Sequence, residues 1–451
     1  MDIFISSKEI IKMFKETSKE LLDFLSKSPT AFHAVENYRQ ILNADGFEEL
    51  LESEHWNIVP GGKYYVTRNN TSILAFKVGT KLDNYSFNIV TSHTDSPTFK
   101  VKENAEIEVK NKYTQLNTEG YGGMLCATWL DRPLSIAGRV LVSEGNSIVT
   151  KLLNIDRDLL MIPNVAIHMN RAANDGFKYN LQVDMLPLLS AGDDRQKDFK
   201  QIIADELGVK KEDILGHDLY LYNRMAPSIW GANEEFISAG HLDDLQCGFA
   251  SLKALLAGYN DESIDIMACF DNEEVGSGTK QGADSTLLRD TLTRINSALG
   301  KTEEDYHRAL ASSFMLSADN AHAVHPNHPE HTDATNCTYM NEGVVVKSHA
   351  GQKYTSDGVS MAVVKALASG ADVPLQYFAN RSDKAGGSTL GNIAMAQASM
   401  NAVDIGLPQL AMHSSYETAG IKDTYYAITL MKALFDSHIQ ETSTHSLEIK
   451  R

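Results

Sequence analysis

The chain has 451 residues, with 41 Lys+Arg against 59 Asp+Glu and a formal net charge of −18. Hydrophobic residues make up 43% and charged residues 22%, with 30 Gly and 11 Pro, a balance that excludes a low-complexity or intrinsically disordered chain. The acidic excess argues against nucleic acid or an anionic membrane as partner, and no run of about 18 apolar residues offers a membrane span.

The length holds two to three domains' worth of core. Met1 to Glu9 has no basic n-region and no long apolar h-region, so no secretory signal is expected. Cys126, Cys247, Cys269 and Cys337 form no close pair, and Cys247 and Cys269 sit in apolar surroundings. Reduced thiols in a cytoplasmic protein are the expectation.

Ser6-x-x-Glu9 is a capping box ahead of Ile10, Ile11 and Phe14 at helical spacing. Leu21, Leu22, Phe24 and Leu25 extend that face until Ser28-Pro29 breaks it. A second helix is predicted over 30–42, with Gly46 after it. Strands are predicted at 63–67, 72–78 and 87–90. Between 103 and 235, segments such as 106–109 and 138–142 alternate as strands with one wet face do, which points to an inserted β-rich domain. From 236 the rhythm is α/β. Buried-strand candidates at 264–270, 313–317 and 409–412 alternate with helical stretches at 243–256, 356–368, 389–399 and 424–436.

Acidic residues and histidines recur just past the predicted strand ends. His93 and Asp95 follow the first, Asp271 to Glu274 the second, Asp319 and His322 the third, and His413 the fourth. Ligands bind beyond the carboxyl ends of strands in open α/β sheets, so one cleft would gather His93, Glu273, Glu274, Asp319 and His413. Asp243-Asp244, at a predicted helix start, adds a fifth element. Imidazoles and carboxylates without thiolates favour Zn²⁺, Co²⁺ or Mn²⁺. The set suffices for two ions if one carboxylate bridges, and Glu273-Glu274 supplies both a ligand and a general base. Asp95 suits a carboxylate that orients the His93 imidazole. Taken singly, each feature has a plainer reading: a solvated acidic loop for 271–274, a satisfied histidine, a helix N-cap pair for Asp243-Asp244.

His322, His325, His328 and His331 recur every three residues, but Pro326 and Pro329 prevent a regular helix. An exposed loop is expected, with only His322 near the site. Gly386-Gly387-Ser388-Thr389 before a helix offers N–H groups to an anion.

Together these segments resemble the dinuclear zinc aminopeptidases that include aspartyl aminopeptidase and vacuolar aminopeptidase I. The stretches are Ser28 to Val35, Ser92 to Pro97, Ala166 to Arg171, Phe236 to Asp244, Asp271 to Ser277, Ser317 to Asn327 and Pro408 to Ser414, in family order. The resemblance implies a three-layer αβα catalytic domain with a central mixed sheet (1–102 and 236–451) and an inserted β-rich oligomerisation domain (103–235). It implies His93, Asp243, Glu274, Asp319 and His413 as ligands of two divalent ions, most simply zinc, with Asp243 bridging. It implies Glu273 as general base, and His168 as a histidine lent to the active site of a neighbouring subunit. His322, Lys347 and Tyr354 match substrate-contacting positions. The expected substrates are peptides with a free N-terminus, acidic or neutral in the first residue, and the expected assembly is a tetrahedral homododecamer. His241 stands where many relatives have Arg, and Ala385 to Thr389 departs from the family's Pro-Cys-Gly pattern.

Two other functions fit the same residues. A carboxypeptidase or deacylase of this fold would need a cationic clamp, for which Arg381 is the candidate. A non-catalytic assembly protein would keep the shell without the chemistry.

Overall fold

The computed structural model describes residues 7–192 and 198–451. The predicted cap Ser6 lies outside them, and the helix it would open runs Ser7–Ser26. The second helix is Ala31–Ala44, entered through Thr30 in extended conformation.

Among these residues, nine strands form a central sheet. Its middle is Ser263–Phe270, Ser86–His93, Phe314–Ala318 and Asn401–Gly406, all parallel. Antiparallel pairing of Ser72–Val78 on one side and Val344–Lys347 on the other makes the sheet mixed. Every residue of Ser86–His93 and of Ser263–Phe270 is buried, because helices cover both faces. The strand period of two divides the side chains between two cores. Val90, Met267 and Leu316 pack with helices Ser7–Ser26, Leu242–Ala257 and Asp423–Phe435. Ile89, Ile266 and Met315 pack on the opposite face with Leu287–Ala298, Glu303–Ala311 and Leu390–Gln397. The α/β class with a central mixed sheet expected from the sequence is the class observed.

Register fixes where the strands end. Phe270 pairs with His93, and Ser317 with Thr91. The three neighbouring strands therefore finish level, and the loops that leave them meet at a common edge.

A second sheet of six antiparallel strands spans Thr98–Val109 to Ile214–Asn223. It has its own core around Phe99, Trp129, Leu134, Ile136 and Leu221. A third sheet joins Ser228–Trp230, Phe236–Ala239, Glu417–Gly420, Pro408–Leu410 and Ala321–His322. The predicted 409–412 strand is thus three residues, Pro408–Leu410, and belongs to this smaller sheet. Its apolar run is too short to distinguish a central strand from a peripheral one. Among the described residues, no helix is long and apolar enough to cross a membrane.

Candidate active site

His93 is the last residue of Ser86–His93. Asp271 to Glu274 come directly after Phe270, and Asp319 directly after Ala318. His413 arrives from the smaller sheet, across the end of the central one. Asp243 and Asp244 open the helix Leu242–Ala257 but are themselves non-helical, after His241 at φ +61°. The N-cap reading of that pair fails, since His241 occupies the cap and makes no side-chain cap bond. Asn272 ahead of Glu273 and His413 itself also have positive φ, +63° and +65°. Left-handed backbone costs such residues on the order of 1 kcal/mol or more. It recurs in three of the segments that carry the polar cluster, those of Asp243, Glu273 and His413.

Asp243 stands between two imidazoles. Its Oδ1 is 3.5 Å from His93 Nε2, and its Oδ2 is 3.5 Å from His413 Nε2. Glu274 Oε2 is 3.3 Å from His413 Nε2. Donor atoms of His93, Asp243 and Asp319 lie within 4.8 Å of one another, and so do those of Asp243, Glu274 and His413. Asp243 belongs to both groups. His93, Glu273 and Glu274 form a third such group.

The donor set fits divalent ions. Asp243 Oδ1 and Glu274 Oε1 are buried without a hydrogen-bond partner among the described residues. Burying unpaired carboxylate oxygens is costly unless a cation answers them. Burial pushes the Glu273 carboxyl up to about 8, with Asp319, Asp95 and Asp243 adding and His93 opposing. Burial works against ionisation of Asp243 too, but the two imidazoles hold it below the usual carboxylate range. Such an excess of buried acid beside two imidazoles, with no thiolate, suits zinc-class ions.

Four groups hold the cluster in shape. The Asp95 carboxylate accepts the backbone N–H groups of Glu273 and Glu274, both at 3.1 Å, and the Tyr121 hydroxyl at 2.7 Å. The His93 Nδ1 is met by the Asp95 backbone carbonyl at 3.0 Å, while the Asp95 carboxylate is 3.5 Å away. Asp95 therefore orients the imidazole mainly through its main chain and the acidic pair through its side chain. Glu417, 2% exposed, accepts the N–H of Asp243 at 3.0 Å and that of His413 at 2.8 Å. His413 Nδ1 donates to the Gly123 carbonyl at 2.6 Å. Gly122 beside it has φ +73°, and a Cβ there would stand 3.1 Å from Glu274 Cβ. Tyr121, at the end of strand Tyr113–Tyr121, with Gly122 and Gly123 after it, brings the six-stranded sheet to the site. Sequence reasoning does not reach Glu417 or Tyr121. Glu417 carries one signal, an acidic residue four positions past His413.

The other expected residues divide. Lys347 is 3% exposed; its Nζ donates to the Asn320 carbonyl at 2.8 Å and lies 3.7 Å from Asp319 Oδ1. Burial would lower its ammonium, but Asp319 and its neighbours push it up. Tyr354 is buried, with Lys347 Nζ 5.7 Å from its ring centroid. His322 is exposed beside them. His168 lies in an exposed turn and belongs to none of the metal-spaced groups among the described residues. Arg381 is held by Asp383 in two bonds of 2.9 and 2.8 Å. Its charge is already answered, which disfavours a carboxylate clamp. Thr389, at the anion-site candidate, donates its hydroxyl to buried Asp404.

A family model described as aminopeptidase I zinc metalloprotease (M18) matches residues 24–435. A probable M18 family aminopeptidase 2 of Clostridium novyi is 48% identical over 93% of this chain and 98% of its own. One of Stutzerimonas stutzeri is 39% identical over 94% and 99%. Among solved structures, a cryo-EM structure of an Ape4 and Nbr1 complex has TM-score 0.92 at 34% identity, covering 96% of this chain and 87% of that one. The S. cerevisiae mApe1 dodecamer has TM-score 0.82 at 28% identity, covering 94% and 97%. The chain belongs to the M18 family of zinc aminopeptidases.

Proposed function

We propose that this chain removes N-terminal residues from peptides at a centre of two divalent ions that share Asp243. His93, Asp243 and Asp319 would hold one ion, and Asp243, Glu274 and His413 the other. The observation that carries this is the pair of 3.5 Å separations from opposite oxygens of Asp243 to His93 Nε2 and His413 Nε2. Zinc is the first expectation, with cobalt or manganese able to substitute.

Bound at such a centre, two divalent ions supply Lewis acidity toward the scissile carbonyl and the attacking water. Glu273 takes a proton from that water as its oxygen attacks the carbonyl carbon, then returns it to the leaving amine. Asp95 fixes where that carboxylate stands by holding its backbone N–H. His322, Lys347 and Tyr354 border the substrate side. His168 of a neighbouring copy donates to the carbonyl oxygen as charge develops there.

The loaned histidine needs self-association. Val165, Ile167 and Met169 flank His168 and are 55%, 49% and 84% exposed, an apolar surface suited to burial against another copy. The tetrahedral homododecamer is the assembly we propose, with residues 103–235 as its oligomerisation domain and 1–102 with 236–451 as the catalytic one. The four cysteines are unpaired, in keeping with a reducing cytoplasmic setting.

Peptides with free and acetylated N-termini, assayed before chelation, after it and after zinc is restored, test the reading. Metal-restored cleavage confined to free-amine peptides is the result expected. Equal cleavage of the acetylated peptides would transfer the site to a deacylase.

A further inference from the structure

His325, His328 and His331 take no part in the catalytic cluster. Pro329–His331 forms one tight 3-10 turn. The His328 N–H donates to the His325 carbonyl at 3.0 Å and the His331 N–H to the His328 carbonyl at 3.2 Å, and these two successive turns bring the three rings side by side. The centroids of His325 and His328 are 5.3 Å apart and those of His328 and His331 5.6 Å, with planes tilted by 35° and 31°. Glu330 reaches into the stack. Its Oε1 is 3.1 Å from His328 Nδ1 and 3.9 Å from His331 Nε2. One donor atom each from His328, Glu330 and His331 falls within a common 4.8 Å, and all three residues are exposed.

The turn is anchored from both sides. Arg381 donates to the Glu330 backbone carbonyl, while its charge is spent on Asp383. The Glu330 carboxylate is left facing imidazoles. At the base of the loop, Val324 N–H donates to the Thr338 carbonyl at 2.8 Å, and the Thr338 hydroxyl to the His322 carbonyl at 2.6 Å.

We propose that His328, Glu330 and His331 form a peripheral site for a zinc-class divalent ion, separate from the catalytic centre. Donors about 2.0–2.2 Å from a tetrahedral ion lie roughly 3.3–3.6 Å from each other, between the 3.1 and 3.9 Å found here. Two imidazoles and one carboxylate select zinc, copper or nickel over calcium or magnesium. The fourth position is open to water or to His325, whose Nδ1 is taken by the Asn327 N–H at 3.2 Å and whose Nε2 remains. Exposure makes the ion exchangeable. Its binding would tie down the segment that leaves His322 and runs toward Lys347.

The test compares the metal-loaded full chain with the His328→Asn, His331→Asn double variant. Both are dialysed against excess Zn²⁺, and bound zinc is counted per chain. The wild type should keep one ion more than the variant, while both cleave peptides at the same rate before the excess is added. Equal rates also show that the variant folds. Titration with Cu²⁺ should give the wild type one additional nitrogen-coordinated paramagnetic signal that the variant lacks. Equal zinc counts in the two proteins would overturn the proposal, however many ions the catalytic centre holds.

Discussion

The Tyr121 hydroxyl donates to Asp95 Oδ2 at 2.7 Å, joining the end of a strand of the six-stranded sheet to the loop after a central strand. Asp95 in turn receives the backbone N–H groups of Glu273 and Glu274. Tyr121 is thus a positioning residue, two bonds removed from the proposed base. Tyr121→Phe should lower kcat about tenfold with little change in KM and no loss of metal, the usual scale for a supporting partner. An unchanged kcat would show that Asp95 holds the acidic pair unaided.

Glu273 is bound to the frame through its main chain, so its carboxylate can be changed without loosening the site. Glu273→Gln should retain the wild-type metal content and lose roughly 10²-fold to 10⁴-fold in kcat, the range for a general base. A variant with near-normal turnover would remove Glu273 from the mechanism.

Lys347 discriminates two roles. If its charge read an acidic first residue, Lys347→Met would injure only Asp- or Glu-terminated peptides. Its position against Asp319 and the Asn320 carbonyl predicts otherwise. Loss of the ammonium leaves a buried carboxylate short of its partner, a change worth about 3–5 kcal/mol. Cleavage of Asp-, Glu-, Leu- and Met-terminated peptides should fall by the same factor, with lower metal occupancy. A selective loss on acidic peptides would contradict this.

His33 makes the fold sensitive to acid. Burial lowers its imidazole to about 4, with Glu36 opposing. In the unfolded chain it accepts a proton near 6.5. The unfolded state then binds more protons between those values, so the stability His33 contributes is present above about pH 6.5 and is lost as pH falls toward 4. Burial lowers His241 in the same way. Unfolding free energies at about pH 7.5 and about pH 5 should differ less in His33→Gln than in the wild type, by about 1–2 kcal/mol. An identical acid shift in both would place the sensitivity elsewhere.

Self-association can be broken at Met169. Met169→Glu puts a charge on the exposed apolar surface beside His168. Light scattering should show a smaller particle, and kcat should fall with it. Full activity in a dissociated chain would rule out a histidine supplied by a neighbour.

Much of this arrangement is legible in the sequence. His93, Asp271 to Glu274 and Asp319 each come after a run apolar enough to be a buried strand, and strand ends in parallel sheets lie level. His413 is legible as a residue but not as a route, since three residues of strand cannot announce which sheet they join. Tyr121, Glu417 and the Gly123 carbonyl are out of reach for another reason. They act on a carboxylate, backbone N–H groups or an imidazole nitrogen brought near by the fold, and such partners leave no periodicity. Asp95 is found by its spacing from His93, yet its carboxylate serves the next segment instead.

Asp243 is the one carboxylate that both ions would share, and counting ions reads that sharing. Bound zinc per chain should fall by one ion in His413→Ala, by one in Asp319→Ala, and by two in Asp243→Asn. If Asp243→Asn loses no more metal than either single-group variant, the two ions do not share that carboxylate.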